Sequence, residues 1–217
     1  MVLPFAVTCA LAALLAFGLR PSVAGSSALW LGVGLPYVLL AGLGLAQLQR
    51  RDQLKTLFRF KSGDASLGIV IGLALLGGAW FFAKRWLPLD NLRHVWLLRV
   101  FLLAGDVSSP LASGALLVII VSEELVWRGW IQAVLRDRLG PRRAWVTCAM
   151  LYAAAHLPTV MTLQDPAAGA NPLLVLAALG CGLCWSLLVE RSGRLLPSLF
   201  SHVVFSYFAA NAAWWFV

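Results

Sequence analysis

The sequence predicts an all-α fold, a polytopic bundle of transmembrane helices, and three observations carry that expectation. Hydrophobic residues make up 61% of the 217, and charged residues only 12%, half the roughly 25% of ordinary soluble domains. Apolar runs long enough to cross a bilayer, which takes about 20 residues, recur along the chain. Between them lie short loops that hold most of the basic residues behind the net charge of +8. That placement reads as topology signals and contacts with anionic lipid headgroups, not as a nucleic-acid surface.

Seven runs qualify as spans: 2–19, 29–48, 67–83, 110–135, 144–161, 173–189 and 195–217. The first lacks a basic leader and is read as a retained span, although small residues near Ala24 would permit cleavage. The segment 91–104 mixes Arg93, His94 and Arg99 with Trp96, Leu97, Leu98, Phe101 and Leu102. It is short and amphipathic, so it is expected to lie in the membrane interface rather than to cross. The run from Pro110 opens with Ser108 and Ser109, which can cap, and with a proline tolerated in the first turn. No sizeable soluble domain fits beside seven spans, so residues 1–217 are read as one integral membrane domain. No internal repeat is visible, in contrast to many transporters.

Basic residues set the orientation. One set of alternate loops holds Arg50, Arg51, Lys55, Arg59 and Lys61, then Arg136, Arg138, Arg142 and Arg143, then Arg191 and Arg194. The opposite set holds Arg20, Lys84, Arg85, Arg93 and Arg99. Placing the richer set inside puts the N-terminus in the cytoplasm. Cys9, Cys148, Cys181 and Cys184 fall in apolar runs and are read as buried packing residues, the Cys181–Cys184 pair included. The tryptophans, Trp214 and Trp215 among them, mostly fall near span ends as interface anchors. Trp127 and Trp130 flank Arg128 and are read as packing, with a substrate groove as the alternative.

Charge inside a span costs a few kcal/mol per residue even on lenient insertion scales, so Glu123, Glu124 and Arg128 in the fourth run mark a candidate site. On a helix Glu124 and Arg128, at i and i+4, share a face and can pair. Glu123 points elsewhere and is left free for acid or base work. His156 lies in the next run and His202 in the last, with Ser206 four residues further on nearly the same face. A glutamate, two histidines and a hydroxyl supply a base, a partner to orient a water, and oxyanion donors. Three bland readings stay open: an ion cluster that only packs helices, histidines that only bridge helices, and a zinc site built from two histidines and a carboxylate.

These residues resemble the CPBP family, which takes in the CAAX prenyl endopeptidases, the Abi proteins and bacterial relatives. Glu123-Glu124-Leu-Val-Trp-Arg128 looks like its EExxxR motif, Tyr152 to His156 like its aromatic-xxx-His motif, and His202 to Ser206 like its His-xxx-Asn motif. Glu190-Arg191-Ser192-Gly193 and Leu196-Pro197 resemble the approach to the last motif. The likeness covers about 110–208 and implies a glutamic intramembrane endopeptidase without metal or cofactor. In that reading Glu123 and His156 activate a water, His202 stabilises the oxyanion, and Glu124 and Arg128 organise the site. Ser206 stands where the family has asparagine, and a serine hydroxyl donates one hydrogen bond with a shorter reach than an amide. Tyr152 stands where phenylalanine is usual. The resemblance implies a membrane-anchored or hydrophobic-tailed peptide substrate, and the compact chain, rich in Ala, Leu, Gly and Arg, is expected in a prokaryotic plasma membrane. Pheromone or bacteriocin-like precursors and sorting tails fit that setting better than prenylated tails. The competing class is a non-catalytic membrane protein: an immunity factor, scaffold or small transporter.

Overall fold

The computed structural model describes residues 2–211 and 215. Among these the chain is helical throughout, with one isolated antiparallel bridge between Asp165 and Gly169 and no strand. The helices are α1 (Val2–Gly18), α2 (Ser27–Arg50), α3 (Leu54–Leu57), α4 (Asp64–Trp86), α5 (His94–Ala104), α6 (Pro110–Glu124), α7 (Gln132–Leu139), α8 (Pro141–Ala155), α9 (Thr159–Thr162), α10 (Leu173–Ser192) and α11 (Leu196–Ala209). A π-helical segment, Leu125–Ile131, joins α6 to α7 without a break.

Five helical units are long and apolar enough to cross a membrane: Ser27–Arg50, Asp64–Trp86, Pro110–Leu139, Pro141–Thr162 and Leu173–Ser192. Each coincides with an expected span. The other two expected spans appear as α1 and α11, apolar helices of 17 and 14 residues. Residues 212–214, 216 and 217, the remainder of the last expected span, lie outside the described residues, and with them the Trp214 anchor. The segment expected to lie in the interface forms a short helix, α5, which buries His94, Leu97 and Leu103 and exposes Leu98 and Leu102.

Two local expectations need correcting. The fourth run is not a plain α-helix, because seven residues directly after Glu124 take the wider i to i+5 turn, a device that recurs at functional sites. His156 lies within the span-length unit Pro141–Thr162, as expected, but at a break in its α-helix. It ends α8, since Pro158 lacks the N–H that the next turn requires and clashes with it, and the chain restarts as α9. The cap of α6 is as expected: Ser109 accepts from the Ala112 N–H at 3.3 Å, with Pro110 following.

The bundle core is made by α1, α2, the π segment, α7, α8 and α10, with Leu11, Tyr37, Trp127, Ile131, Leu135, Cys148 and Trp185 nearly or fully buried. Trp127 and Trp130 are buried as packing residues; the Trp130 indole N–H donates to Gln47 Oε1 at 2.7 Å. Cys148 and Cys181 are buried and Cys184 is half-buried, whereas Cys9 is exposed on the outside of the bundle, against the expectation for it. Many large apolar side chains face outward, including Leu31, Leu39, Val70 and Phe81. A bilayer is the solvent that such a surface requires.

Close packing of α4 on α11 fixes the last helix. A Cβ added at Gly68 would stand 2.5 Å from the Pro197 carbonyl oxygen, and one at Gly72 would stand 2.8 Å from that of Ser201. Only glycine at both positions lets the backbones approach so closely, the small-xxx-small pattern of membrane helices. The start of α11 is held as well. Arg194 chelates Asp64 through Nε and Nη2 at 2.6–3.2 Å, and the Leu195 N–H donates to the Leu57 carbonyl at 2.9 Å. Gly193, at φ +68°, closes α10 before this turn.

Candidate active site

Five elements bring the polar residues together: α2, the α6–π junction, the end of α8, α10 and α11. Glu123, His156, His202 and Ser206 line one cavity of about 270 Å³, whose other walls include Leu15, Trp30, Val33, Ile119, Leu174 and Phe205. Glu124 and Arg128 stand behind it, with no exposed side-chain surface. The six site residues named from sequence thus gather in one region, four at the cavity wall and two beneath it.

Glu124 is held on every side. Arg128 Nη1 lies 3.3 Å from its Oε1, His202 Nδ1 lies 2.9 Å from the same oxygen, and Ser198 donates its hydroxyl to Oε2 at 2.5 Å. A carboxylate so engaged has little capacity left for a substrate or a water. Arg128 is less well served. It is paired by charge, yet none of its guanidinium nitrogens meets hydrogen-bond geometry with a protein acceptor. The Tyr152 and Trp185 rings cover it, 4.3 and 5.1 Å from the guanidinium carbon, a cation–π contact that partly replaces lost hydration.

Glu123 is bound more loosely. The Tyr152 hydroxyl donates to its Oε2 at 3.1 Å, and His202 Nε2 stands 3.6 Å from that oxygen. Tyr37, buried on α2, turns its hydroxyl to the same carboxylate and accepts from the Trp127 indole at 3.4 Å. So the tyrosine that departs from the family's phenylalanine contributes its hydroxyl to Glu123.

The histidines differ in what they present. His156 Nδ1 lies 2.9 Å from the Tyr152 carbonyl oxygen, which can only accept, so Nδ1 carries the proton and the neutral ring keeps its lone pair on Nε2. His202 spans both carboxylates, Nδ1 to Glu124 and Nε2 towards Glu123. It is stacked on Trp185 with ring centroids 3.8 Å apart, and the Trp185 N–H donates to Ser201 Oγ at 3.0 Å. His202 therefore does more than was expected of it: it ties Glu123 to Glu124. Among the described residues, no three His, Cys, Asp or Glu side chains are grouped to hold a metal ion.

Tyr37, Trp185 and Ser198 were not named from sequence. Ser198 carried a signal, since it precedes His202 by four residues in an apolar run and so shares its face. Tyr37 and Trp185 carried none, as aromatic residues in spans are ordinary packing. Their roles come from which helices meet.

Fold and site together define a class: an integral membrane protein, all-helical, with a glutamate and histidine cluster buried at the meeting point of its helices. The particular family follows from comparison with known proteins. Residues 93–208, just over half of the chain, match the family described as Type II CAAX prenyl endopeptidase Rce1-like, and the chain belongs to that family of membrane endopeptidases. No curated protein and no solved structure matches it.

Proposed function

We propose that the chain is a glutamic-type intramembrane endopeptidase that hydrolyses a peptide bond in a membrane-anchored or hydrophobic-tailed peptide. The carrying observation is that Glu123, His156, His202 and Ser206 line a single cavity, while Glu124 is fully engaged by Arg128, Ser198 and His202. That division leaves Glu123 as the carboxylate able to take a proton. A water held between Glu123 and the His156 Nε2 lone pair loses a proton to Glu123 as its oxygen bonds to the scissile carbonyl carbon. The resulting oxyanion accepts hydrogen bonds from the His202 ring and from the Ser206 hydroxyl. Collapse breaks the C–N bond, and the proton on Glu123 passes to the departing amine.

A second cavity supports an apolar substrate. It measures about 490 Å³, lies between α4, α5, α10 and α11, and shares Val100, Leu174, Ala177, Cys181 and Phe205 with the site cavity. A hydrophobic tail fits it while the polar part of the peptide reaches Glu123. The concentration of lysines and arginines in one set of alternate loops supports a cytoplasmic N-terminus.

Glu123→Gln tests the reading. The substitution is nearly isosteric and removes the base, so hydrolysis of a quenched hydrophobic-tailed peptide in proteoliposomes should fall by at least about 10²-fold, with insertion and melting unchanged. A folded variant that still cleaves at the wild-type rate returns the cluster to a packing role.

A further inference from the structure

Tyr37 is a buried polar residue at the site to which the proposed mechanism gives no task. It stands midway along α2, with no exposed surface, in the N-terminal part of the chain outside the matched residues 93–208. Its neighbours on the buried face of α2 are small: Gly34, Ala41 and Gly44. A Cβ added at Gly34 would stand 3.4 Å from Ile119 Cγ1, and one at Gly44 would stand 3.1 Å from Trp130 Cβ. So α2 lies close against α6 and the π segment on either side of the tyrosine. One large polar side chain among small ones reaches between these helices to Glu123.

Hydrogen-bond chemistry fixes the direction of its hydroxyl. The Trp127 indole N–H, 3.4 Å away, can only donate, so it takes a lone pair of the phenol oxygen and leaves the phenol proton for an acceptor. Glu123 is that acceptor. From α8, the Tyr152 hydroxyl donates to the same carboxylate at 3.1 Å. Trp127 braces both phenols, since its ring also stands edge-on to Tyr152 with centroids 5.5 Å apart. The two glutamates are thus served differently. Arg128 faces Glu124 as a counter-charge, whereas the donors on Glu123 are two neutral phenols, with His202 Nε2 further off at 3.6 Å. A phenol orients a carboxylate without cancelling its charge, so the group stays able to accept a proton. Held from α2 and α8 at once, the Glu123 carboxylate cannot turn away from the cavity without giving up these bonds.

We propose that Tyr37 is a positioning residue for Glu123: together with Tyr152 it holds the carboxylate by hydrogen bonds in the orientation in which it takes the proton of the attacking water. The proposal rests on the peptidase reading of the site. It gives the N-terminal half of the chain a part in the chemistry, through a helix that carries none of the reacting groups.

Tyr37→Phe keeps the ring and removes the donor. In proteoliposomes it should lower kcat on the order of tenfold and leave KM unchanged, because a loosely held base is misplaced in the transition state while peptide binding is untouched. Infrared difference spectroscopy supplies a readout that packing alone does not move. The carboxylate stretch of Glu123, identified as the band that Glu123→Gln removes, should shift in Tyr37→Phe. Tyr37→p-aminophenylalanine donates from the same place and should return both kcat and the band towards their wild-type values. Where Tyr37→Phe does not fold, Tyr37→p-methylphenylalanine fills the space of the hydroxyl without donating, and the same loss and shift are expected of it. A folded non-donating variant overturns the proposal if it keeps wild-type kcat, if its loss is expressed in KM, or if its carboxylate band stays in place. So does a p-aminophenylalanine variant that recovers nothing. If Glu123→Gln is inactive while these results are negative, the peptidase reading stands and the positioning role fails. If Glu123→Gln stays active, the peptidase reading fails and the positioning role falls with it.

Discussion

Gly72→Ala adds one methyl group where α4 meets α11, and its consequence for the site can be worked from distances. The new Cβ would stand 2.8 Å from the Ser201 carbonyl oxygen and 2.9 Å from Val204 Cβ. Ordinary contact begins at 3.4 Å, so α11 must retreat by about 0.6 Å or α4 must bend. Ser201 immediately precedes His202, whose Nδ1 now lies 2.9 Å from Glu124 and whose Nε2 lies 3.6 Å from Glu123. A retreat of that size takes the first contact to the limit of a hydrogen bond. Overpacking of this kind costs about 1–3 kcal/mol, or roughly 2–12 °C in Tm for a chain of this length. Since a 1 Å misplacement can cost about 10²-fold in rate, kcat should fall on the order of tenfold. Gly77→Ala is the control, because a Cβ there meets nothing within 4 Å. It should keep kcat and gain the roughly 0.5–1 kcal/mol that alanine brings to a helix. The assays are peptide cleavage and thermal unfolding in the same detergent. Wild-type kcat and Tm for Gly72→Ala would refute the claim that glycine packing on α4 sets the position of His202.

Ser198→Ala removes the hydroxyl donated to Glu124 Oε2, a buried hydrogen bond to a charged group worth about 1.5–3 kcal/mol; a lower Tm with cleavage impaired but not abolished is expected, and an unchanged Tm counts against the bond. Asp165 tests the loop between α9 and α10. Arg99 beside it, together with the Ala167 and Ala168 N–H groups, holds its carboxyl below the ordinary value of 3.8. A lowered value in the folded state means that the stabilisation is present above pH 3.8 and is lost as pH falls beneath it. Hydrogen exchange at 165–171, corrected for intrinsic rate, should rise in that acidic window, and Asp165→Asn should show the rise at neutral pH. For the metal question, dialysis against a chelator should leave cleavage unchanged; loss of activity restored by zinc would assign the histidines to a metal.

Much of the fold was legible, and the reason is the solvent. In hydrocarbon every span must be an apolar helix, so 29–48, 67–83, 110–135, 144–161 and 173–189 could be drawn from composition alone. The same constraint made Glu123, Glu124 and Arg128 conspicuous. What composition could not show was whatever depends on contact between helices. Gly68 and Gly72 are two ordinary small residues until α11 is laid on them. Trp185 is one tryptophan among ten until His202 stacks on it. Helical spacing correctly paired Glu124 with Arg128, but it could not reveal that His202 bridges both glutamates. Nor did the run after Glu124 carry any glycine or proline signal that would announce a π turn before Gly129.

That π segment also says something about how this helix tolerates change. A turn closed at i to i+5 holds one residue more than the α-helix around it, and Leu125–Ile131 spends that surplus between Glu124 and Gln132. Deleting a single residue there removes the surplus and lets the turn relax to ordinary α-helix with what lies beyond it nearly unrotated, whereas the same deletion in the α-helical part would swing it by about 100°. Gln132 would still face Ser186 and Glu190, and Glu123 and Glu124, upstream of the cut, would keep their bearings too. This stretch is therefore where the helix best absorbs a change of one residue in length, and alignments of related chains should show a one-residue gap here before they show one elsewhere in the helix.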